Sequence, residues 1–251
     1  MPSGSLEDKV AWITGGGSGI GLAGAIELAK AGAHVVISGR NKETLASGLK
    51  QVQAAGKAEA VHLDVADRDA IFRAAEKIGR VDILINSAGI NSPKRNFRNV
   101  SLADWESIVA INLHGIFYCI QAVLPGMRSR KDGLVINIAS WFGKYWNTLG
   151  GPGYNATKHA VVSLTETLNV EECANGIRAT AILPGEVATP ILEKRPVPPS
   201  MDERARMLQA EDLGRTILYV ASLPPRACVN ELIISPTWNR FFLGGLEVPK
   251  T

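Results

Sequence analysis

The chain has 251 residues, enough for one large domain or two small ones and for a core that needs no staples. Apolar residues make up 46% and charged residues 20%, the balance of a folded globular protein rather than a disordered one. Lys and Arg number 27 against 24 Asp and Glu, and a formal net charge of +3 is too small to point to nucleic acid or an acidic membrane surface.

The start, Met1 to Lys9, has no apolar core and carries two acids, so no signal peptide is expected there. Short, continuously apolar runs then alternate with longer amphipathic ones. Val10–Thr14, His34–Ser38, Ala60–Leu63, Ile83–Asn86, Leu134–Ile138, Ala179–Leu183 and Leu232–Ile234 read as strands covered on both faces. Helix-length segments lie between them, at 20–31, 42–55, 67–78, 101–129, 154–174 and 211–222. Ser101 with Asp104 three residues on has the shape of a capping box, and Gly32 and Gly176 stand where helices should stop. The apolar stretch Ile108–Leu124, at 17 residues, falls short of the roughly 20 a spanning helix needs and contains Asn112, His114 and Gln121; it reads as a buried helix.

This alternation predicts an α/β fold: a Rossmann-type, doubly wound, seven-stranded parallel sheet with helices on both faces and its site at the strands' carboxyl ends. With no linker and no repeat, residues 1–251 read as a single domain. The stretch Pro184–Gln209 is Pro-rich and carries no strand pattern. Such a long irregular segment in a compact domain is usually functional, and a substrate lid is expected at about 186–210. Three scattered cysteines (Cys119, Cys173, Cys228) offer neither a disulfide framework nor a zinc spacing, and the four histidines form no metal-binding pair. No metal and no membrane partner are expected, and a reducing, cytoplasmic setting is.

The run Thr14-Gly15-Gly16-Gly17-Ser18-Gly19-Ile20-Gly21 follows the first strand and opens the first helix. Glycines allow positive φ and close backbone approach, and a helix N-terminus offers unpaired N–H groups to a pyrophosphate. In that strand–turn–helix context a dinucleotide site outweighs a purely structural turn. Gly15, Ser18, Gly19 and Ile20 are the candidate contacts. The second strand ends Ser38-Gly39-Arg40-Asn41, with no acid to bond a ribose 2′-hydroxyl and with an arginine able to bind a 2′-phosphate. NADP is therefore expected over NAD, although Arg40 as a solvated surface residue is the plain alternative. Asp64, beside Val65, could accept a hydrogen bond from an adenine amino group; a turn role for Asp64 and a helix cap for Asp67 are the simpler readings.

Tyr154 and Lys158, four apart, project from one helix face. A phenol with a pKa near 10 is a poor acid–base group at neutral pH, and a nearby ammonium and a cationic nicotinamide ring would lower it. Ser140, at the end of the fifth strand, puts a hydroxyl at the same sheet edge, unless it only caps a turn.

With these residues together the chain resembles the short-chain dehydrogenase/reductase family, in its compact single-domain branch, over roughly residues 6–237. The family's T-G-x-x-x-G-x-G is matched by Thr14, Gly15, Gly19 and Gly21; its N-N-A-G by Asn86-Ser87-Ala88-Gly89, with serine for the second asparagine; its catalytic asparagine by Asn112; its serine by Ser140; its Y-x-x-x-K by Tyr154 and Lys158; and its P-G by Pro184-Gly185, with Thr189 following. The resemblance implies an oxidoreductase moving a hydride between NADP(H) and a carbonyl or secondary alcohol. Tyr154 would be the general acid–base, Ser140 would hold the substrate oxygen, Lys158 would bind the nicotinamide ribose and lower the phenol's pKa, and Asn112 would hold a relay water. Asn86, Ala88 and Gly89 would line the adenosine side, and Pro184, Gly185, Val187 and Thr189 the nicotinamide amide. It also implies a homodimer or homotetramer built on the two long helices.

The substrate pocket is expected to draw on Trp141, Tyr145, Trp146 and Ile191 and to be largely apolar. Arg95 and Arg195, among other bases nearby, could recruit a hydroxy or keto acid, though such charges are usually a solvated face. The alternatives to an NADP-dependent reductase are a non-catalytic dinucleotide-binding sensor or scaffold and an NAD-dependent alcohol or hydroxy-acid dehydrogenase.

Overall fold

A computed structural model of the chain describes residues 6–242. The strands are β1 (Val10–Thr14), β2 (His34–Gly39), β3 (Ala58–His62), β4 (Ile83–Asn86), β5 (Gly133–Ile138), β6 (Ile177–Pro184), β7 (Val187–Ala188), β8 (Leu208–Gln209) and β9 (Glu231–Ile234). Seven of them form one parallel sheet in the order β3-β2-β1-β4-β5-β6-β9. The helices are α1 (Gly19–Lys30), α2 (Lys42–Gln53), α3 (Arg68–Ile78), α4 (Leu102–Val109), α5 (Gly115–Arg130), α6 (Pro152–Glu172), α7 (Met201–Ala205) and α8 (Ala210–Ala221). The expected doubly wound architecture is the one found.

The inner strands are largely apolar because successive side chains enter two different cores. In β1, Trp12 faces one core while Ala11 and Ile13 face the other; in β2, Val36 opposes Val35 and Ile37 in the same way. Helices α3, α5 and α6 cover the Trp12 side through Ile71, Cys119, Met127 and Val161. Helices α1, α2 and α8 cover the other through Leu28, Val52 and Ile217. From β1 the chain winds outward to β3, then crosses back to β4. The strand order reverses between β1 and β4, where Thr14 sits in register with Asn86, and this opens the crevice at the carboxyl edge.

Two features depart from the sequence expectation. The long helix 101–129 is interrupted: residues Ala110–His114 form a π turn between α4 and α5, in which Gly115 N–H bonds the Ala110 carbonyl. Hydrophobic periodicity barely shifts over a single wide turn, so the pattern conceals it. The whole stretch Leu102–Arg130 is long and apolar enough to cross a membrane by length and composition, contrary to the shorter apolar core counted from sequence, yet half of its apolar window is buried in the fold. The lid segment also holds a strand pair after all. Val187 and Ala188 lie parallel to Leu208 and Gln209, and a 3₁₀ turn (Pro190–Lys194) and α7 fill the interval. Two-residue strands are too short to show an alternation.

Candidate active site

Gly15, the first residue after β1, adopts φ +67°, and a Cβ there would lie 2.8 Å from the Ala88 nitrogen. Only glycine lets the turn press against the 87–89 segment this closely. Thr14 reinforces the approach: its hydroxyl accepts from the N–H groups of Ser87 (3.2 Å) and Ala88 (3.3 Å). Ser18 is the N-cap of α1 in extended conformation, with its hydroxyl not used as a cap. Ser18, Gly19 and Ile20 line a cavity of about 270 Å³ at the carboxyl edge of the sheet. A second cavity of about 200 Å³ is lined by Arg40, Asp64 and Val65. The two share Gly15, Ala88 and Gly89, so they form one bipartite groove passing the first turn of α1. Two lobes joined beside unpaired helix N–H groups match the shape and charge of a dinucleotide.

Arg40 is exposed and has no ion-pair partner among the described residues; its carbonyl accepts from His62 Nε2 (2.9 Å). Lys194, which sequence reasoning passed over, lines the same lobe. One Asp64 oxygen accepts from Ala66 N–H (2.9 Å), the turn role, and Asp67 caps α3 through Ala70 N–H (2.9 Å). Asn86 does not reach the groove. Its carboxamide lies inside the sheet, donating to Asn137 (2.9 Å), which donates in turn to Thr165 (2.9 Å) and ties β4 and β5 to α6. The adenosine side is left to Ala88 and Gly89, whose backbone follows the strand end.

The larger cavity gathers the reactive side chains. Helix α6 begins at Pro152, two residues before the expected start, because proline at the first helical position loses no hydrogen bond. This places Tyr154 in its first turn and Lys158 one turn on, and both line the cavity, as does Ser140. The Ser140 hydroxyl accepts from Phe142 N–H (3.2 Å), and its side chain acts on the Tyr154 phenol across the cavity. Burial pushes the Tyr154 phenol above its ordinary value; the Ser140 bond and the charges of Arg195 and Arg95 pull it back. Two arginines thus join Lys158, the cation the sequence pointed to, around the phenol. Lys158 is buried, its ammonium donating to the Ile138 carbonyl (2.7 Å) and lying 5.5 Å from the Tyr154 ring centre. Burial pushes it down to about 8.

Asn112, in the π turn, is fully buried. Its carboxamide accepts from Ile90 N–H (2.8 Å) and donates to the Ile90 carbonyl (2.9 Å). The side chain thus fixes the 89–90 segment beside Lys158, with Thr157 Oγ1 a further 3.5 Å from its Nδ2. Pro184, Gly185, Val187 and Thr189 line the cavity from the β6 end. Of the expected substrate contacts, Trp141 and Ile191 line it. Tyr145 does not: it is half-exposed and stacks on Trp141 (4.6 Å between ring centres). Trp146 is 81% exposed and lies outside the cavity.

The tail supplies residues the sequence did not single out. Phe241 lines the cavity and packs edge-on to Phe142 (5.6 Å), and Arg240 pairs with Glu186 beneath it. These partners are 54 and 99 residues apart in the case of Arg240–Glu186 and of the Arg95 bond to Lys194, so no local pattern announces them.

The comparisons agree with this geometry. A family profile described as short chain dehydrogenase matches residues 9–198. The chain is 36% identical over 229 residues to a 3-oxoacyl-(acyl-carrier-protein) reductase of Thermotoga maritima, covering 86% of this chain and 92% of that protein. Among solved structures, a serine dehydrogenase complexed with NADP+ superposes with TM-score 0.83 at 28% identity, covering 96% and 100% of the two chains. A 3-ketoacyl-(acyl-carrier-protein) reductase of Brucella melitensis complexed with NADH does so with TM-score 0.82 at 30% identity, covering 92% and 98%. The chain belongs to the short-chain dehydrogenase family and is an NAD(P)-dependent oxidoreductase.

Proposed function

We propose that this protein interconverts a carbonyl compound and its secondary alcohol with NADP(H), and that Tyr154 moves the proton. The observation that carries the reading is the convergence of Ser140, Tyr154 and Lys158 on one cavity with the first turn of α1. Bound there, the nicotinamide supplies or accepts the hydride. Ser140 donates to the substrate oxygen and orients it. Tyr154 Oη gives its proton to that oxygen as the carbonyl is reduced, or takes it as the alcohol is oxidised. Lys158, anchored on Ile138, faces the ribose side and keeps a positive charge under the phenol ring. Asn112 holds the loop that shapes this wall.

NADP rather than NAD is supported by two bases, Arg40 and Lys194, in the adenosine lobe and by the absence of an acid at the end of β2. Association of copies through α4–α5 and α6 is supported by the exposure of Leu102, Trp105, Phe117 and Val170, and unpaired cysteines suit a reducing, cytoplasmic setting. The test is NADPH oxidation against a panel of ketones and aldehydes, with nucleotide binding followed by fluorescence. Tyr154→Phe should lower turnover at least a thousandfold while leaving binding within a factor of about three. Binding without turnover of any carbonyl would instead mark a dinucleotide sensor.

A further inference from the structure

We propose that the substrate of this site is a carboxylic acid, its carboxylate held between the guanidinium groups of Arg95 and Arg195 while its carbonyl or hydroxyl carbon faces Tyr154. The inference rests on the oxidoreductase reading for the reacting carbon, but the anion site stands on its own observations. The charged residues lining the larger cavity are Arg95, Lys158 and Arg195 against one acid, Glu186. That acid is already shared: Arg195 Nη1 lies 2.7 Å from it, and Arg240 takes the same oxygen. Both Arg195 and Glu186 are nearly buried, with side chains 12% and 9% exposed.

Arg95 has no acid at all among the described residues. Its Nε donates to the Ser92 carbonyl (2.7 Å), Nη1 to Leu149 (3.2 Å) and Nη2 to Lys194 (2.7 Å). These bonds make it a strut from the 92–95 loop to the lid, and that role explains its hydrogen bonds. It does not explain its charge. Neutral carbonyls are served equally well by a neutral amide, whereas a half-buried cation without a counter-ion is costly. Burial, and after it the charge of Arg195, push the Arg95 guanidinium below its ordinary value.

An anion entering between them removes the repulsion and gains paired, charge-assisted hydrogen bonds. Three of the five N–H groups of Arg95 are committed. The two that remain are free to meet the two oxygens of a carboxylate. Trp141, Phe142, Leu149, Leu192 and Phe241 give the cavity an apolar section of wall, which suits a short hydrocarbon remainder of the substrate. The two arginines also act on the Tyr154 phenol. The anion site and the reacting oxygen therefore belong to one cavity and fit one small molecule.

The probe pair is butyrate and butyramide, alike in size and different in charge, titrated calorimetrically into the protein–NADP+ complex. Butyrate should bind at least tenfold tighter. Arg195→Met should remove that preference and Arg195→Lys should retain part of it. Arg95→Met should also remove it, and because Arg95 braces the lid, the Arg195 pair decides if that variant does not fold. Equal affinity for the two probes, a preference that survives Arg195→Met, or inorganic phosphate binding more tightly than butyrate would each overturn the assignment. The two readings separate cleanly. A charge preference with no NADPH oxidation on any ketone or keto acid sinks the redox reading and keeps the anion site; reduction of neutral ketones with no preference for butyrate does the reverse.

Discussion

Lys158 is buried with its ammonium on a main-chain carbonyl, and that arrangement has a measurable cost to folding. Burial pushes its pKa from the ordinary 10.5 to about 8. Each unit is about 1.36 kcal/mol, so holding the charged form inside the protein near pH 7 costs about 3 kcal/mol. Lys158→Met removes the charge and keeps the length. It also strips the Ile138 carbonyl of a donor, which costs about 1–3 kcal/mol. The variant should therefore be more stable than wild type at pH 7 by up to about 2 kcal/mol, while losing activity. The pH dependence is the sharper readout. Between about pH 8 and 10.5 the unfolded chain binds more protons at this site than the folded one, so wild-type stability gains on the variant as pH rises. By pH 10.5 the penalty is gone, only the lost carbonyl bond remains, and wild type should be the more stable. Denaturant midpoints or melting temperatures of both proteins, taken from pH 7 to pH 10.5, read this directly, at roughly 2–4 °C per kcal/mol for a chain of this size. A difference between the two that is independent of pH, or that moves further in favour of the variant as pH rises, refutes the reasoning.

Gly15→Ala places a Cβ 2.8 Å from the Ala88 nitrogen at a residue with φ +67°; it should cost about 2 kcal/mol or more in stability and abolish nucleotide binding, checked by thermal shift with and without NADPH. Arg40→Ser should weaken NADP+ about tenfold and leave NAD+ within a factor of two, measured by fluorescence titration; equal losses for both nucleotides would mean that Arg40 does not meet a phosphate. Asp82 is buried at the opposite edge of the sheet, accepting from Val10 N–H (2.9 Å) and Arg80 Nε (2.9 Å) with Arg130 close by. Asp82→Asn should cost about 2–3 kcal/mol by denaturant unfolding, less than a fully buried pair because Arg80 is half-exposed, and should leave KM unchanged.

Most of the scaffold was legible because its signals are local. A strand covered on both faces must be largely apolar, and the inner sheet strands read that way; the glycine turn declares itself by sitting between β1 and α1. Ser140, Tyr154 and Lys158 were legible for a similar reason: each stands at a strand end or a helix start, and every such end in a parallel sheet opens on the same edge. What stayed hidden depends on where a side chain turns or on what it meets far along the chain. Asn86 ends β4 at that edge, yet its carboxamide turns into the sheet toward Asn137. Asn112 lies on a helix face in the pattern, yet a π turn directs it at Ile90. Tyr145 and Trp146 stand within five residues of Trp141 in the chain, yet of the three only Trp141 reaches the cavity. The charge balance of the cavity was the least visible of all. Arg95, Glu186, Arg195 and Arg240 come from three separate segments, and a solvated arginine and a buried one look the same in sequence. Their convergence next to Tyr154 is a property of the folded chain alone: a pocket read from aromatic residues becomes one that also carries excess positive charge at one wall.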